Sequence, residues 1–255
     1  MTRRITAPTG APVWIELASS DLAASHSFYT QLLGWEVEPP APEFGGYTNL
    51  RKDGVRIAGS MDKPEMQPGP DAWLVYMSST DCAATCDAAA AAGAMVMVPA
   101  MDVLTLGRMA VMLDPTGAAV GAWESWEHTG FGFWDEPGAP SWFELHTRDY
   151  AGALEFYAKA FGWTFEVEPG SPAFEYSRMV IDGESLAGVM GAAEFLPEGV
   201  SSNWQIYFET ADIDASVAKV QALGGSLIHP IDDSPYGRLA ACLDSTGAMF
   251  KLRQQ

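Results

Sequence analysis

The chain has 255 residues, 48% of them hydrophobic and 18% charged, and its 33 acidic against 14 basic side chains give a formal net charge of −19. That field repels phosphate backbones and argues against a nucleic-acid partner. No apolar run reaches the ~18 residues that a membrane helix needs, and the opening Met1-Thr2-Arg3-Arg4-Ile5 lacks the apolar stretch of a signal peptide, so a cytoplasmic protein with no membrane partner is expected.

Val13–Ala18 alternates as a half-buried strand should. Asp21 is placed to cap a helix over Leu22–Leu33, which Gly34 stops. Three short extended segments follow, Trp35–Glu38, Tyr47–Arg51 and Val55–Met61, the last two joined at Lys52-Asp53-Gly54. Pro64–Pro70 reads as a connector. The same order then returns: a strand at Trp73–Met77, an Ala-rich helix over Ala83–Ala92 ending at Gly93, and strands at Met95–Val98, Met109–Leu113 and Ala118–Trp123. Cys82 and Cys86 have no second pair to complete a zinc site and, with Cys242, read as small buried residues. Glu127–Pro140, rich in Gly, Pro and aromatic residues, reads as a linker.

Beyond it the first half repeats. Trp14, Glu16, Asp21, Phe28-Tyr29 and Gly34-Trp35 recur 128 residues later as Trp142, Glu144, Asp149, Phe156-Tyr157 and Gly162-Trp163. Gly107-Arg108 and Asp114-Pro115-Thr116-Gly117-Ala118 recur 130 residues later as Gly237-Arg238 and Asp244-Ser245-Thr246-Gly247-Ala248. A helix is expected from Asp149 or Tyr150 to Phe161, then a strand at Trp204–Glu209 and a helix from about Asp214 to Leu223. Repetition at a fixed spacing identifies a tandem duplication. The fold class is α+β, with four βαβββ modules paired into two cup-shaped domains. The first domain is 1–126 (modules about 12–62 and 72–124), the linker 127–139, and the second domain 140–255 (modules about 140–191 and 203–253). A sister module must close the open face of each sheet.

This arrangement, with its "Asp-Leu … Phe-Tyr … Leu-Gly-Trp" opening and "Gly-Arg … Asp-Pro-Thr-Gly-Ala" closing, resembles the vicinal oxygen chelate superfamily of glyoxalases, extradiol dioxygenases and bleomycin-resistance proteins. The resemblance covers nearly the whole chain and is nearest to the tandem glyoxalase-like proteins of actinobacteria, some of which accompany antibiotic pathways. The superfamily hosts both metal enzymes and metal-free binders; in its metal-dependent members each cup holds one divalent ion through His, Gln or Glu from the first and last strands of its two modules. Counting back seven residues from the helix-opening aspartates gives Trp14 and Trp142, and counting four past the turn glycines gives Gly121 and Lys251. The first strands of the second modules offer Leu74 or Val75, and Gln205 or Ile206. The usual ligands are missing, so no cofactor is expected, although a metal held by atypical ligands stays open.

Strand alternation puts Trp14, Glu16 and Ala18 on one face, and Trp142, Glu144 and His146 on its counterpart. The aliphatic alternates suit helix packing, so the Trp/Glu faces are expected to line the cups. Two readings of the carboxylates stand. Glu16 and Glu144 are either desolvated groups of raised pKa, with Glu144 and His146 as an acid–base pair, or structural anchors for backbone N–H groups or for Arg108 and Arg238. Those arginines either clamp an anion at the cup mouth or pair with nearby carboxylates. Trp14, Tyr76 and Trp123 are expected as ligand-binding residues of an apolar first cup, and Trp142, Gln205, Tyr207, Lys251 and Arg253 of a polar second cup, with Trp73 and Trp204 as core. The partner is a small organic molecule. Either the cups bind it without a metal, in antibiotic sequestration or secondary metabolism, or a lyase, isomerase or cyclase transforms it. The chain is expected to be a monomer or homodimer.

Overall fold

The computed structural model describes residues 7–64, 69–169 and 174–255. The first half runs β1 (Pro12–Ser19), α1 (Leu22–Leu33), β2 (Glu36–Val37), β3 (Thr48–Lys52), β4 (Val55–Asp62), then β5 (Ala72–Ser79), α2 (Cys82–Ala91), β6 (Met95–Val103), β7 (Gly107–Leu113) and β8 (Ala119–Ser125). The second runs β9 (Pro140–Thr147), α3 (Tyr150–Phe161), β10 (Thr164–Val167), β11 (Tyr176–Ile181), β12 (Glu184–Gly191), then β13 (Asn203–Glu209), α4 (Ile213–Ala222), β14 (Ser226–Leu227), β15 (Asp232–Ser234), β16 (Gly237–Leu243) and β17 (Met249–Gln254). Each half is one continuous sheet, ordered β2-β3-β4-β1-β5-β8-β7-β6 and β10-β11-β12-β9-β13-β17-β16-β14, with β15 also on β16. The two modules of a half join through antiparallel pairing of their first strands, β1 with β5 and β9 with β13. Each cup is therefore closed within its own half.

Local signals explain the helices. Asp21 and Asp149 accept from the backbone N–H of Ala24 and Gly152, and Gly34 and Gly162 end the helices in the left-handed conformation. Three elements depart from expectation. β2 is reduced to Glu36–Val37 because Trp35 is drawn into the core. β6 runs on to Val103 through Pro99, a residue tolerated on an edge strand. The corresponding strand of the last module is broken into β14 and β15 around His229-Pro230. Part of the expected Pro64–Pro70 connector lies outside the described residues. No helix among the described residues is long and apolar enough to cross a membrane, and all three cysteines are free and buried.

The outer faces of the sheets cover each other. Val13, Ile15 and Leu17 are at most 1% exposed, and α1 packs on α4 while α2 packs on α3. Phe28 lies 5.9 Å from Phe250, and Trp35 lies 5.4 Å from Phe208, each pair crossing between the halves. Several of the repeated landmarks fasten this interface. Trp35 Nε1 donates to Gly138 O at 2.7 Å, and its counterpart Trp163 donates to Gly10 O at 2.8 Å. Gly10 and Gly138 both have positive φ, and a Cβ at either would lie 2.7 Å from a carbonyl oxygen of the opposite half.

The closing turns fasten in the same reciprocal way. Asp114 Oδ1 accepts from Thr116 N, Thr116 Oγ1 and Ala118 N, and its Oδ2 accepts from Tyr157 across the interface at 3.2 Å. Tyr157 in turn accepts from Trp204 at 2.9 Å. In the mirror arrangement, Asp244 Oδ1 accepts from Thr246 and Ala248. The Tyr29 hydroxyl lies against Asp244 and accepts from Trp73 at 3.0 Å. Trp73 and Trp204 are thus interface residues, away from the cups.

The Glu127–Pro140 segment is more than a tether. Phe131 N donates to Val13 O and Gly132 N to Arg56 O, both at 3.0 Å, bridging β1 and β4. Phe131 and Phe133 are buried.

Asp114→Ala orphans the Thr116 and Ala118 N–H groups and the Tyr157 hydroxyl together. Urea unfolding is expected to show a loss of about 2–4 kcal/mol; a loss under about 0.5 kcal/mol would remove this turn from the interface's stability.

Candidate functional site

In the C-terminal half, strand register assembles a polar cluster. Trp142, Glu144 and His146 of β9 face Tyr207, Gln205 and Asn203 of β13, and Tyr207 also pairs with Lys251 of β17. On the other side Glu144 pairs with Gly188 of β12. A Cβ at Gly188 would lie 2.1 Å from the Tyr176 hydroxyl, so glycine there lets Tyr176 reach the carboxylate.

Glu144 is 7% exposed and saturated with donors. Its Oε1 is 2.7 Å from His146 Nε2, accepts from Tyr207 OH at 2.8 Å and from Lys251 Nζ at 3.3 Å, and its Oε2 accepts from Tyr176 OH at 3.0 Å. Two relays converge on it. Lys251 donates to Tyr207 OH at 2.7 Å, and Trp142 donates to Tyr176 OH at 3.2 Å. Burial by itself raises the pKa of Glu144, but the Lys251 ammonium, the His146 hydrogen bond and charge, and the Tyr207 hydroxyl outweigh it and hold the carboxyl well below the usual range. This corrects the expectation of a raised pKa at Glu144: an anion with four donors is an anchor and a poor proton acceptor. An ionised Glu144 can only accept, so the proton of this 2.7 Å contact lies on His146 Nε2.

The N-terminal cup keeps the frame and loses the charges. Glu16 meets the hydroxyls of Tyr47 and Tyr76, the latter at 3.4 Å, and Trp14 Nε1 donates to Tyr47 OH at 2.9 Å. The position that pairs with Tyr76 is Gly121, the counterpart of Lys251. A Cβ at Gly121 would lie 2.2 Å from the Tyr76 ring, so that space is already filled. Ala18 stands for His146, and Leu74, paired with Glu16, stands for Gln205. Burial pushes Glu16 up to about 7, only partly opposed by Tyr47 and Tyr76. The linker fills this cup: the His128 ring lies edge-on to Trp14 at 4.3 Å and 5.4 Å from Trp123, whose Nε1 donates to His128 O at 2.9 Å. Burial, then the charge of Arg56, pushes His128 down to about 4.

The remaining candidates are placed as follows. Arg253 is engaged by Glu209 at 2.9 Å and by Asp135 of the linker. Arg108 pairs with Asp102 at 2.6 Å, and Arg238 with Asp214 and Asp233, so neither arginine is the partner of Glu16 or Glu144. Sequence reasoning missed Tyr47 and Tyr176, although they recur at close to the repeat spacing (176 − 47 = 129), their rings lying over Gly59 and Gly188. It also missed His128, whose position only the folded linker reveals.

A metal does not fit the donor set of the C-terminal cup. Its ligand-type groups are Glu144, His146 and Gln205, and the Lys251 ammonium lies 3.3 and 3.2 Å from the first two, where it would repel a cation. Among the described residues no group of three or more His, Cys, Asp or Glu is arranged to hold a metal ion.

The two glutamates make opposite contributions to stability. Glu16 stays protonated in the fold up to about 7 while the unfolded chain ionises near 4.5, so stability falls as pH rises through that window. Glu16→Gln is expected to flatten the fall, with a relative gain of about 1–3 kcal/mol at pH 8 over pH 4.5. Unfolding by urea across that range checks it, and a profile unchanged by the substitution would place the titration elsewhere.

A sequence model of the Glyoxalase/Bleomycin resistance protein/Dioxygenase superfamily matches residues 11–121 and 139–252. "Putative glyoxylase CFP32" of Mycobacterium tuberculosis is 35% identical over 257 residues, covering 99% of this chain and 97% of that protein. "Anthracycline biosynthesis protein DnrV" of Streptomyces peucetius is 35% identical over 262 residues, covering 95% and 92%. Among solved structures, the Mn(II)-bound glyoxalase from Novosphingobium aromaticivorans superposes with a TM-score of 0.66 at 12% identity, over 99% of this chain and 83% of that one, a likeness of fold. With both halves matched and relatives aligned end to end, the chain belongs to the glyoxalase/bleomycin resistance/dioxygenase superfamily.

Proposed function

We propose that the C-terminal cup binds a planar, aromatic or hydrophobic small molecule without a metal, and that the protein handles such a compound in antibiotic sequestration or as an accessory to secondary metabolism. The observation that carries this reading is the Lys251 ammonium held between Glu144 and His146, where a cation-binding cup would need an open site. The surroundings suit an aromatic guest. Trp142 walls the cup, Phe174 is 45% exposed and stacks on Tyr176 at 5.8 Å, and Tyr236 is 61% exposed. A relative named for anthracycline biosynthesis supports the class of compound. The filled first cup, without counterparts of Lys251 and His146, supports a structural part for that half.

A second reading is an enzyme of lyase, isomerase or cyclase type. The 2.7 Å contact between His146 and Glu144 favours it, since a carboxylate that fixes one imidazole nitrogen leaves the ring as the group able to move a proton. A pH–rate profile that His146→Gln abolishes, on a substrate turned over by the wild type, would decide for it.

Tryptophan fluorescence on titration with alizarin red S, a water-soluble dihydroxyanthraquinone sulfonate, tests the leading reading. Lys251→Met and Trp142→Ala are expected to weaken binding by about tenfold or more, and Trp123→Ala by less than about threefold. The reverse pattern would assign the ligand to the first cup. Elemental mass spectrometry of protein purified without chelator is expected to find less than about a tenth of an equivalent of transition metal; near one equivalent would overturn the metal-free reading.

A further inference from the structure

One acceptor in the C-terminal cup is left open by its own neighbours. Gln205 sits on β13 opposite Glu144 and is 3% exposed. Its Nε2 donates to Asn203 Oδ1, and its Oε1 has no hydrogen-bond partner among the described residues. Which end of the amide is open follows from a chain of bonds. The Ser201 carbonyl can only accept, and Asn203 Nδ2 donates to it at 3.0 Å. That turns Asn203 Oδ1 toward Gln205, which must answer with its NH2 group. The free atom is therefore the carbonyl oxygen.

Nearby polar groups do not supply the missing donor. The Tyr207 and Tyr176 hydroxyls and His146 Nε2 are directed at Glu144, and Lys251 lies among Tyr207, Glu144 and His146. A buried acceptor without a donor is costly. A group that arrives with a hydrogen bond to offer removes that cost, whereas an analogue lacking it leaves the acceptor orphaned. The first cup has Leu74 at this position, so the feature belongs to the C-terminal cup alone.

Resting on the reading of this cup as a small-molecule site, we propose that Gln205 Oε1 is the specificity-determining acceptor for a donor group on the ligand, an O–H or N–H carried by an aromatic ring. The cup then selects hydroxylated or amino-substituted planar aromatics over their unsubstituted analogues.

Three anthraquinone sulfonates test this: alizarin red S with hydroxyls, 1-aminoanthraquinone-2-sulfonate with an amine, and anthraquinone-2-sulfonate with neither. Wild-type protein is expected to bind at least one donor-bearing probe about tenfold or more tighter than the unsubstituted one. Which probe it prefers separates O–H from N–H. Gln205→Met, similar in length but without the amide, is expected to erase the preference while leaving anthraquinone-2-sulfonate affinity within about twofold. Retained binding of that probe also shows that the variant's cup is folded.

A wild type with no preference, a preference that survives Gln205→Met, or an equal loss for all three probes each overturns the Gln205 assignment while binding itself still supports the cup. If none of the three binds the wild type, the cup reading for this class of compound fails and the Gln205 assignment falls with it.

Discussion

The architecture depends on one reciprocal constraint: each half exposes an aliphatic sheet face and its helices, and only the other half can cover them. The indole of Trp35 and that of Trp163 reach across to backbone oxygens at matching places, and the carboxylates of Asp114 and Asp244 meet the tyrosines of the opposite half. These contacts are buried and paired by the duplication, and those of Trp35, Trp163 and Asp114 are directional hydrogen bonds. Many of the repeated residues are thus engaged in joining the halves, while the two cups share a repeated frame and differ at residues that do not repeat, Lys251, His146 and Gln205.

Freed from that duty, the two cups differ by a few substitutions on a common frame. Trp14 and Trp142, Glu16 and Glu144, Tyr47 and Tyr176, Tyr76 and Tyr207 are the same arrangement drawn twice. Lysine in place of glycine, histidine in place of alanine and glutamine in place of leucine convert an apolar interior into a charged one. The two glutamates report the difference within a single molecule: without a cation the carboxyl is driven up to about 7, and beside Lys251 it is held well below the ordinary range. Local charge, added to the same scaffold, decides which cup presents an ionised group.

Most of the fold was legible because its signals are local. Asp21 and Asp149 are helix caps, Gly34 and Gly162 are helix stops, and β1 and β9 alternate cleanly. The same alternation put Trp142, Glu144 and His146 on one face. What stayed hidden depends on side chains that travel. Tyr47 and Tyr176 cross glycines to reach their carboxylates, His128 enters a cup from a segment without regular structure, and Arg253 turns to the linker's Asp135. Nor does alternation reveal the sign of a pKa shift, because burial and a nearby ammonium push in opposite directions and only their distances decide.

The glycine at position 121 has a consequence for how this half can change. Because the Tyr76 ring occupies the volume that any Cβ there would need, no single substitution at 121 can put a charged or metal-binding side chain into the first cup without a clash. Tyr76 has to be cut back beforehand, and cutting it back removes one of the two hydroxyls that support Glu16. At this position a charged side chain therefore requires Tyr76 to change first, which ties the two sites together.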